Sequence, residues 1–322
     1  MASTTALPKL YFGTTTFGSS HIPTLSDPEF ASHFLDVVHD LGITELDTAA
    51  RYPPDNHGGS ERMLGTVKAN DKGNNSDGTL SEEAVRKSMA SSLKNLGVDK
   101  VCILYAHVPD TVTPLEEQAR AFDEQYRKGF CEKIGVSNFP AETLSQLLAI
   151  CEEKGYVKPS VYTGQYNLIC RAPEQDLIPL LRKHNMTLNA YSPLGGGFLT
   201  GKLTSGNAEG TRLDSAYGQH FRNWYDHPEF HAALRKLMAA IEPLGIKPAE
   251  AALRWLAYHS ALDEADGIVL GATKVEQVQA NVADIKKGPL PQEVLDVIAE
   301  ISQSILETQR SFDVNPAALP PK

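Results

Sequence analysis

The side chains with chemical reach fall at recurring places in the chain. Asp47, His107, the pair Ser137-Asn138, Gln165, Tyr191 and Gly271 each close a short apolar run, and Tyr52 ends the loop Asp47-Thr-Ala-Ala-Arg-Tyr52. A carboxylate, a phenol and an imidazole can pass protons, and hydroxyl and amide groups can orient a polar ligand. Taken singly, Asp47 reads as a turn cap, His107 as a satisfied core histidine and Tyr191 as rim packing. Gathered on one surface, they exceed what packing requires.

The order of the elements is what would gather them. Apolar runs at 10–17, 43–47, 101–106, 133–136, 160–164, 186–190 and 267–270 read as strands. Between them, helical periodicity is visible at 27–41, 114–128, 141–154, 174–184, 229–244 and 274–285. Shorter helical segments are expected at 60–67 and from about 81. Strands alternating with helices through right-handed crossovers make a parallel sheet, either closed as an eight-stranded barrel or open and doubly wound. The open form usually carries G-x-G-x-x-G after its first strand, and no such motif follows 10–17. The pattern therefore predicts an α/β (β/α)8 TIM barrel over 1–322 as a single domain, in which the active groups sit at the C-terminal ends of the strands. A Gly-, Ser- and Asn-rich connection at 195–228 is too long for an ordinary loop, so a functional lid or wall is expected there, and an additional C-terminal helix at 291–308.

Composition removes several function classes. The chain has 322 residues, 41% hydrophobic, with 30 Lys+Arg against 40 Asp+Glu and a net charge of −10. With no basic cluster, nucleic-acid and anionic-membrane partners are not expected. No apolar run approaches the roughly 20 residues that span a bilayer, and no secretory signal is visible, so a cytoplasmic protein is expected. Four cysteines without C-x-x-C spacing point to reduced structural thiols and to no metal site. Gly196 to Lys202 spells the start of a phosphate-binding loop, but Leu203 stands where Ser or Thr would have to bind magnesium.

The motifs resemble those of the aldo-keto reductases over nearly the whole chain: Leu-Asp47-Thr-Ala-Ala-Arg-Tyr52, Gly59-Ser-Glu-Arg-Met-Leu-Gly65, Tyr105-Ala-His107, Gly135-Val-Ser-Asn-Phe139, Gln165-Tyr-Asn167, Tyr191-Ser-Pro-Leu194 and Gly271-Ala-Thr-Lys274 with Gln277 and Asn281. The branch most similar holds the aflatoxin-aldehyde reductases and fungal metabolite reductases. The resemblance implies NADPH-dependent reduction of an aldehyde or ketone, secondary-metabolite intermediates included. In it Tyr52 is the proton donor, His107 orients the carbonyl and Asp47 belongs to the same catalytic group. It further implies that Ser137, Asn138 and Gln165 hold the carboxamide and that Tyr191 stacks on the nicotinamide. The backbone from Ser192 through Pro193, Leu194 and Gly196 would pass the pyrophosphate. Gly271, Thr273, Lys274, Gln277 and Asn281 would meet the 2′-phosphate and adenine, where Ala280 replaces a common Glu. Arg222, Trp224 and Tyr225, in the long connection, either line a substrate pocket or simply pack that connection, and a homodimer is compatible with the resemblance.

One departure from the family concerns the lysine that supports the catalytic tyrosine at the end of the third strand. The segment after Val67 carries no strand signal, so the third strand is expected to be poorly specified or missing, and Lys68 and Lys72 are the only candidates for the cation. A phenol with an ordinary pKa near 10 is a weak acid at pH 7 without such a neighbour. The alternative to a working reductase is thus a barrel that binds NADPH with little or no redox activity.

Overall fold

Each apolar run singled out in the sequence becomes a strand in the computed structural model, which describes residues 6–67, 80–215 and 218–306. The strands are β1 (Lys9–Gly13), β2 (Glu45–Asp47), β3 (Val101–Ala106), β4 (Cys131–Ser137), β5 (Val161–Gln165), β6 (Thr187–Tyr191) and β7 (Gly267–Gly271). All pair in parallel, in the order β2-β1-β7-β6-β5-β4-β3. The register levels their C-terminal ends, since Asp47 and Gly271 both lie opposite Gly13, and Tyr191 lies opposite Gln165.

That the sheet is curled follows from distances. β2 and β3 are its two edges, so in a flat sheet six strand spacings would hold them roughly 29 Å apart. Yet the ring of Tyr52, in the loop leaving β2, lies 5.6 Å from the ring of His107, just past the end of β3. Through the interior, Asn189 on β6 donates from Nδ2 to the hydroxyl of Tyr105 on β3 at 3.0 Å. The architecture is the α/β barrel that the strand-helix alternation predicts. Among the described residues no strand falls between β2 and β3. The segment expected to lack one, 68–79, lies outside the described residues.

Eleven helices are described: α1 (Pro28–Asp40), α2 (Gly59–Thr66), α3 (Glu82–Leu96), α4 (Leu115–Arg127), α5 (Ala141–Lys154), α6 (Leu177–Lys183), α7 (Gln219–Tyr225), α8 (Pro228–Ile241), α9 (Pro248–Tyr258), α10 (Val275–Ile285) and α11 (Gln292–Ser304). Successive helices pack side by side around the sheet, and α11 packs on α8. The main core lies between helices and sheet, whereas Ile103, Tyr105 and Val161 form a small separate cluster. Local chemistry sets the helix ends. Ser81 caps α3 through its hydroxyl, and Gly97 and Gly155 end α3 and α5 in the left-handed conformation that glycine adopts without strain.

Several boundaries depart from the sequence reading. β1 stops at Gly13 because Thr14 turns the chain, with Phe17 N–H bonded to Thr14 O at 2.9 Å. The helix expected over 174–184 starts at Leu177, after a short 3-10 turn at Ala172–Glu174. The one expected over 229–244 yields to a 3-10 turn at Glu242–Leu244, where Pro243 supplies no N–H. Among its described residues the 195–228 connection contains α7 and the 3-10 turns Gly195–Thr200 and Arg212–Asp214, and helix α9 is not legible in the sequence. Residues 250 to 257 of α9 are all buried, its charged pair included, so no face of it is solvent-exposed along that stretch. Its buried Glu250–Arg254 pair is completed by Lys287 and by the carbonyls of Gly288 and Pro289. The expected C-terminal helix is α11; positions 307 and 308 lie outside the described residues. No helix among the described residues is long and apolar enough to cross a membrane.

Candidate active site

The mouth is assembled from strand ends held at one level. Asp47 closes β2, and its carbonyl accepts from both the N–H and the hydroxyl of Thr14, at 2.8 and 3.0 Å. The buried Ser60 hydroxyl, at the start of α2, meets the hydroxyls of Thr14 at 2.7 Å and Thr48 at 2.9 Å. Three hydroxyls thus lock β1, β2 and the first turn of α2 together, which fixes the loop that carries Tyr52. Ser60 N–H donates to the Tyr52 carbonyl at 3.0 Å. At Gly18, in the loop after β1 and with φ of 75°, a Cβ would come within 2.7 Å of the Gly59 carbonyl oxygen, so only glycine allows that loop to touch the start of α2.

Across the mouth the rings of Tyr52 and His107 meet edge to face, at an interplanar angle of 87°. Asp47, Tyr52 and His107 are all half-buried. Beneath them Tyr105 is buried in the barrel interior. Burial first, and then the nearby negative charge of Asp47, raise its pKa, so it stays a neutral phenol. Gly135 on β4 makes room for the Tyr105 ring, since a Cβ there would lie 2.5 Å from it.

The neighbouring strand ends form a second cluster. Asn138, held at φ of 62°, donates from Nδ2 to the His107 carbonyl at 3.0 Å and to the Ser137 hydroxyl at 2.9 Å, and accepts from the Tyr191 hydroxyl at 2.8 Å. Ser192, next to Tyr191, is also held left-handed, at φ of 52°. Such backbone strain in non-glycine residues persists only where surrounding contacts enforce it, and it gathers at ligand sites. Gln165 is 9% exposed, and its Oε1 has no hydrogen-bond partner among the described residues. A buried acceptor left in that state is costly unless a ligand donor meets it. The carboxamide of a nicotinamide supplies such a donor, and the Ser137-Asn138 pair and the Tyr191 ring stand beside it, so the residues fit that group.

Other expected site residues are placed less directly. Pro193 is buried and Leu194 packs against the core, while Gly196 and Gly197 run left-handed at φ of 63° and 106°. Gln277 turns back onto the start of α10, its Oε1 accepting from Thr273 N–H at 2.9 Å and Lys274 N–H at 3.2 Å. Lys274 is exposed there, and Asn281 sits one turn further along the helix. Arg222 is tied within the 195–228 connection, its guanidinium bonded to the Leu213 carbonyl and 3.6 Å from Asp226, and Trp224 packs on His220 and Phe221. Tyr225 is fully buried, and its hydroxyl lies on Gln165 and Asn167 rather than at an open surface. Lys68 and Lys72 lie outside the described residues. Burial pushes the Cys131 and Cys170 thiols up to about 12 and the Cys151 thiol up to about 11, as unreactive structural thiols should be.

Sequence reasoning missed the supports: Thr14, Thr48 and Ser60 under Tyr52, and Tyr105 with Asn189 under the mouth. Ser60 and Tyr105 stand inside recognised motifs, but their partners are distant in sequence and carry no local signal.

The family model for the aldo/keto reductase family matches residues 9–303. The chain belongs to the aldo/keto reductase family. It is 34% identical over 299 residues to the oxidoreductase sirO of Leptosphaeria maculans, covering 88% of this chain and 90% of that protein. It is 34% identical over 278 residues to human aflatoxin B1 aldehyde reductase member 2, covering 79% of this chain and 77% of that protein. An aldo-keto reductase of Pseudocercospora fijiensis (strain CIRAD86) is 32% identical over 285 residues, covering 83% and 95%. The recognised motifs, the barrel and the family thus agree along nearly the whole length.

Proposed function

We propose that this oxidoreductase uses NADPH to reduce an aldehyde or ketone to the alcohol, with Tyr52 as the proton donor. The observation that carries the reading is the edge-to-face meeting of Tyr52 and His107 at 5.6 Å, on the same rim as Asp47 and beside the strained Asn138 cluster. The chemistry NADPH supplies when bound is a hydride for the carbonyl carbon. Gln165, Asn138 and Ser137 would hold its carboxamide, Tyr191 would lie against the ring, and Lys274 at the start of α10 favours a 2′-phosphate. The carbonyl oxygen then sits between Tyr52 and His107. His107 orients and polarises it, and the Tyr52 hydroxyl delivers the proton that completes the alcohol. Relatives named as aflatoxin B1 aldehyde reductases support an aldehyde of some bulk as substrate.

Measuring NADPH consumption with a reactive test aldehyde tests this reading. Steady consumption that stops in Tyr52→Phe supports it. Tight NADPH binding with no consumption against a panel of aldehydes and ketones overturns it in favour of a cofactor-binding barrel.

A further inference from the structure

Tyr225 ends α7, in the connection that folds back over the strand ends, yet its hydroxyl reaches the floor of the carboxamide cluster. Its oxygen receives the side-chain amide of Gln165 and, at 3.1 Å, Nδ2 of Asn167, and Cys170 Sγ lies 3.8 Å away. Asn167 has no freedom to turn. Its Oδ1 accepts from the N–H groups of Ile169 at 3.1 Å and Cys170 at 3.0 Å, and its Nδ2 also donates to the Ser192 carbonyl at 2.9 Å. The Tyr225 ring is clamped as well, stacked on Phe198 at 5.8 Å and 16°. The phenol oxygen is therefore a fixed point, and Gln165 Nε2 is turned toward it. What remains is Gln165 Oε1, buried and without a hydrogen-bond partner among the described residues, which can only accept.

We propose that Tyr225 is a positioning residue that holds the Gln165 amide in one orientation, so that Oε1 selects a ligand bearing an N–H donor. The inference rests on the NADPH reading above and adds to it which face of Gln165 is used and what enforces it. A freely rotating amide would offer a donor or an acceptor equally and would not distinguish a carboxamide from a methyl ketone. A fixed acceptor does distinguish them, because a ring substituent lacking N–H leaves Oε1 buried and unsatisfied. Because Tyr225 belongs to the 195–228 connection, the same contact links the seating of that connection to the orientation of the bound ring.

The experiment compares dissociation constants, read by fluorescence, for NADPH, for its 3-acetylpyridine analogue and for 2′,5′-ADP, which has no ring to orient. In the unaltered protein NADPH is expected to bind about 10-fold more tightly than the analogue, since a buried acceptor left without its donor costs about that much. Tyr225→Phe, which keeps the stacking on Phe198, is expected to bring the two dinucleotides within about 2-fold and to leave 2′,5′-ADP unchanged. Phe198→Leu, which loosens the stacking but keeps the hydroxyl, should retain the preference. Equal binding of NADPH and the analogue by the unaltered protein overturns the proposal, as does a preference that survives Tyr225→Phe. Parallel weakening of all three ligands in that variant assigns Tyr225 to packing alone and overturns it too. If the unaltered protein binds 2′,5′-ADP or the analogue but not NADPH, or binds none of the three, the proposed function itself falls.

Discussion

On the side of the mouth built by β4, β5 and β6, Asn138, Tyr191 and Ser137 are bonded to one another, and Gln165 is anchored through Tyr225 and Asn167. On the side built by β2 and β3, Asp47, Tyr52 and His107 come from edges that do not pair with each other among the described residues. Neighbouring strands with continuous register preorganise the first side. The second depends on the curl of the sheet, which brings two loops together that the backbone ladder does not join. Binding should therefore tolerate damage that turnover does not.

Tyr52→Phe puts the largest strain on this comparison. Turnover is expected to fall about 10²- to 10⁴-fold, the usual worth of a positioned proton donor, while the NADPH dissociation constant stays within about 2-fold. Binding that collapsed along with turnover would mean the two sides are one unit. Asn138→Gly keeps the left-handed backbone but removes three side-chain hydrogen bonds, so NADPH affinity measured by fluorescence should fall about 10-fold or more.

Smaller effects probe the supports beneath each side. Gly135→Ala drives a methyl against the Tyr105 ring and should cost about 1–3 kcal/mol of stability by denaturant titration. Ser60→Ala should cost about 1 kcal/mol and lower turnover more than NADPH affinity, because it loosens only the Tyr52 side. The smallest effect is expected at Asp110, just past His107. Burial alone would raise its pKa, but Leu80 N–H, the Thr113 hydroxyl and the N–H groups of Val112 and Thr113 outweigh it and hold the carboxyl below its ordinary value. A lowered native pKa contributes stability above the unfolded value near 3.9, and that contribution is lost as pH falls through the native value. Unfolding curves at pH 7 and pH 3 should therefore differ more for the native protein than for Asp110→Asn.

Much of the barrel was legible because alternation of short apolar runs with amphipathic helices is a local signal. Helix α5 was placed to the residue, where Gly155 stops it, and all seven described strands were located to within a few positions. Legibility failed where burial erased the pattern. Helix α9 buries its one charged pair, Glu250–Arg254, so the face that would read as solvent-exposed is turned inward. The substrate-wall expectation for Tyr225 rested on its place in a long connection, and nothing in the neighbouring residues signals that its hydroxyl turns inward to Gln165.

Residue order alone determined that Asp47, His107, Asn138, Gln165 and Tyr191 stand at the ends of parallel strands, because strand length and crossover handedness are properties of short segments. Only the tertiary structure decided that Tyr52 meets His107, that Ser60 ties three elements together and that Tyr225 turns the Gln165 amide. Those contacts join residues as far as 60 positions apart, and it is the curl of the sheet, driven by burial of the core, that sets such distances.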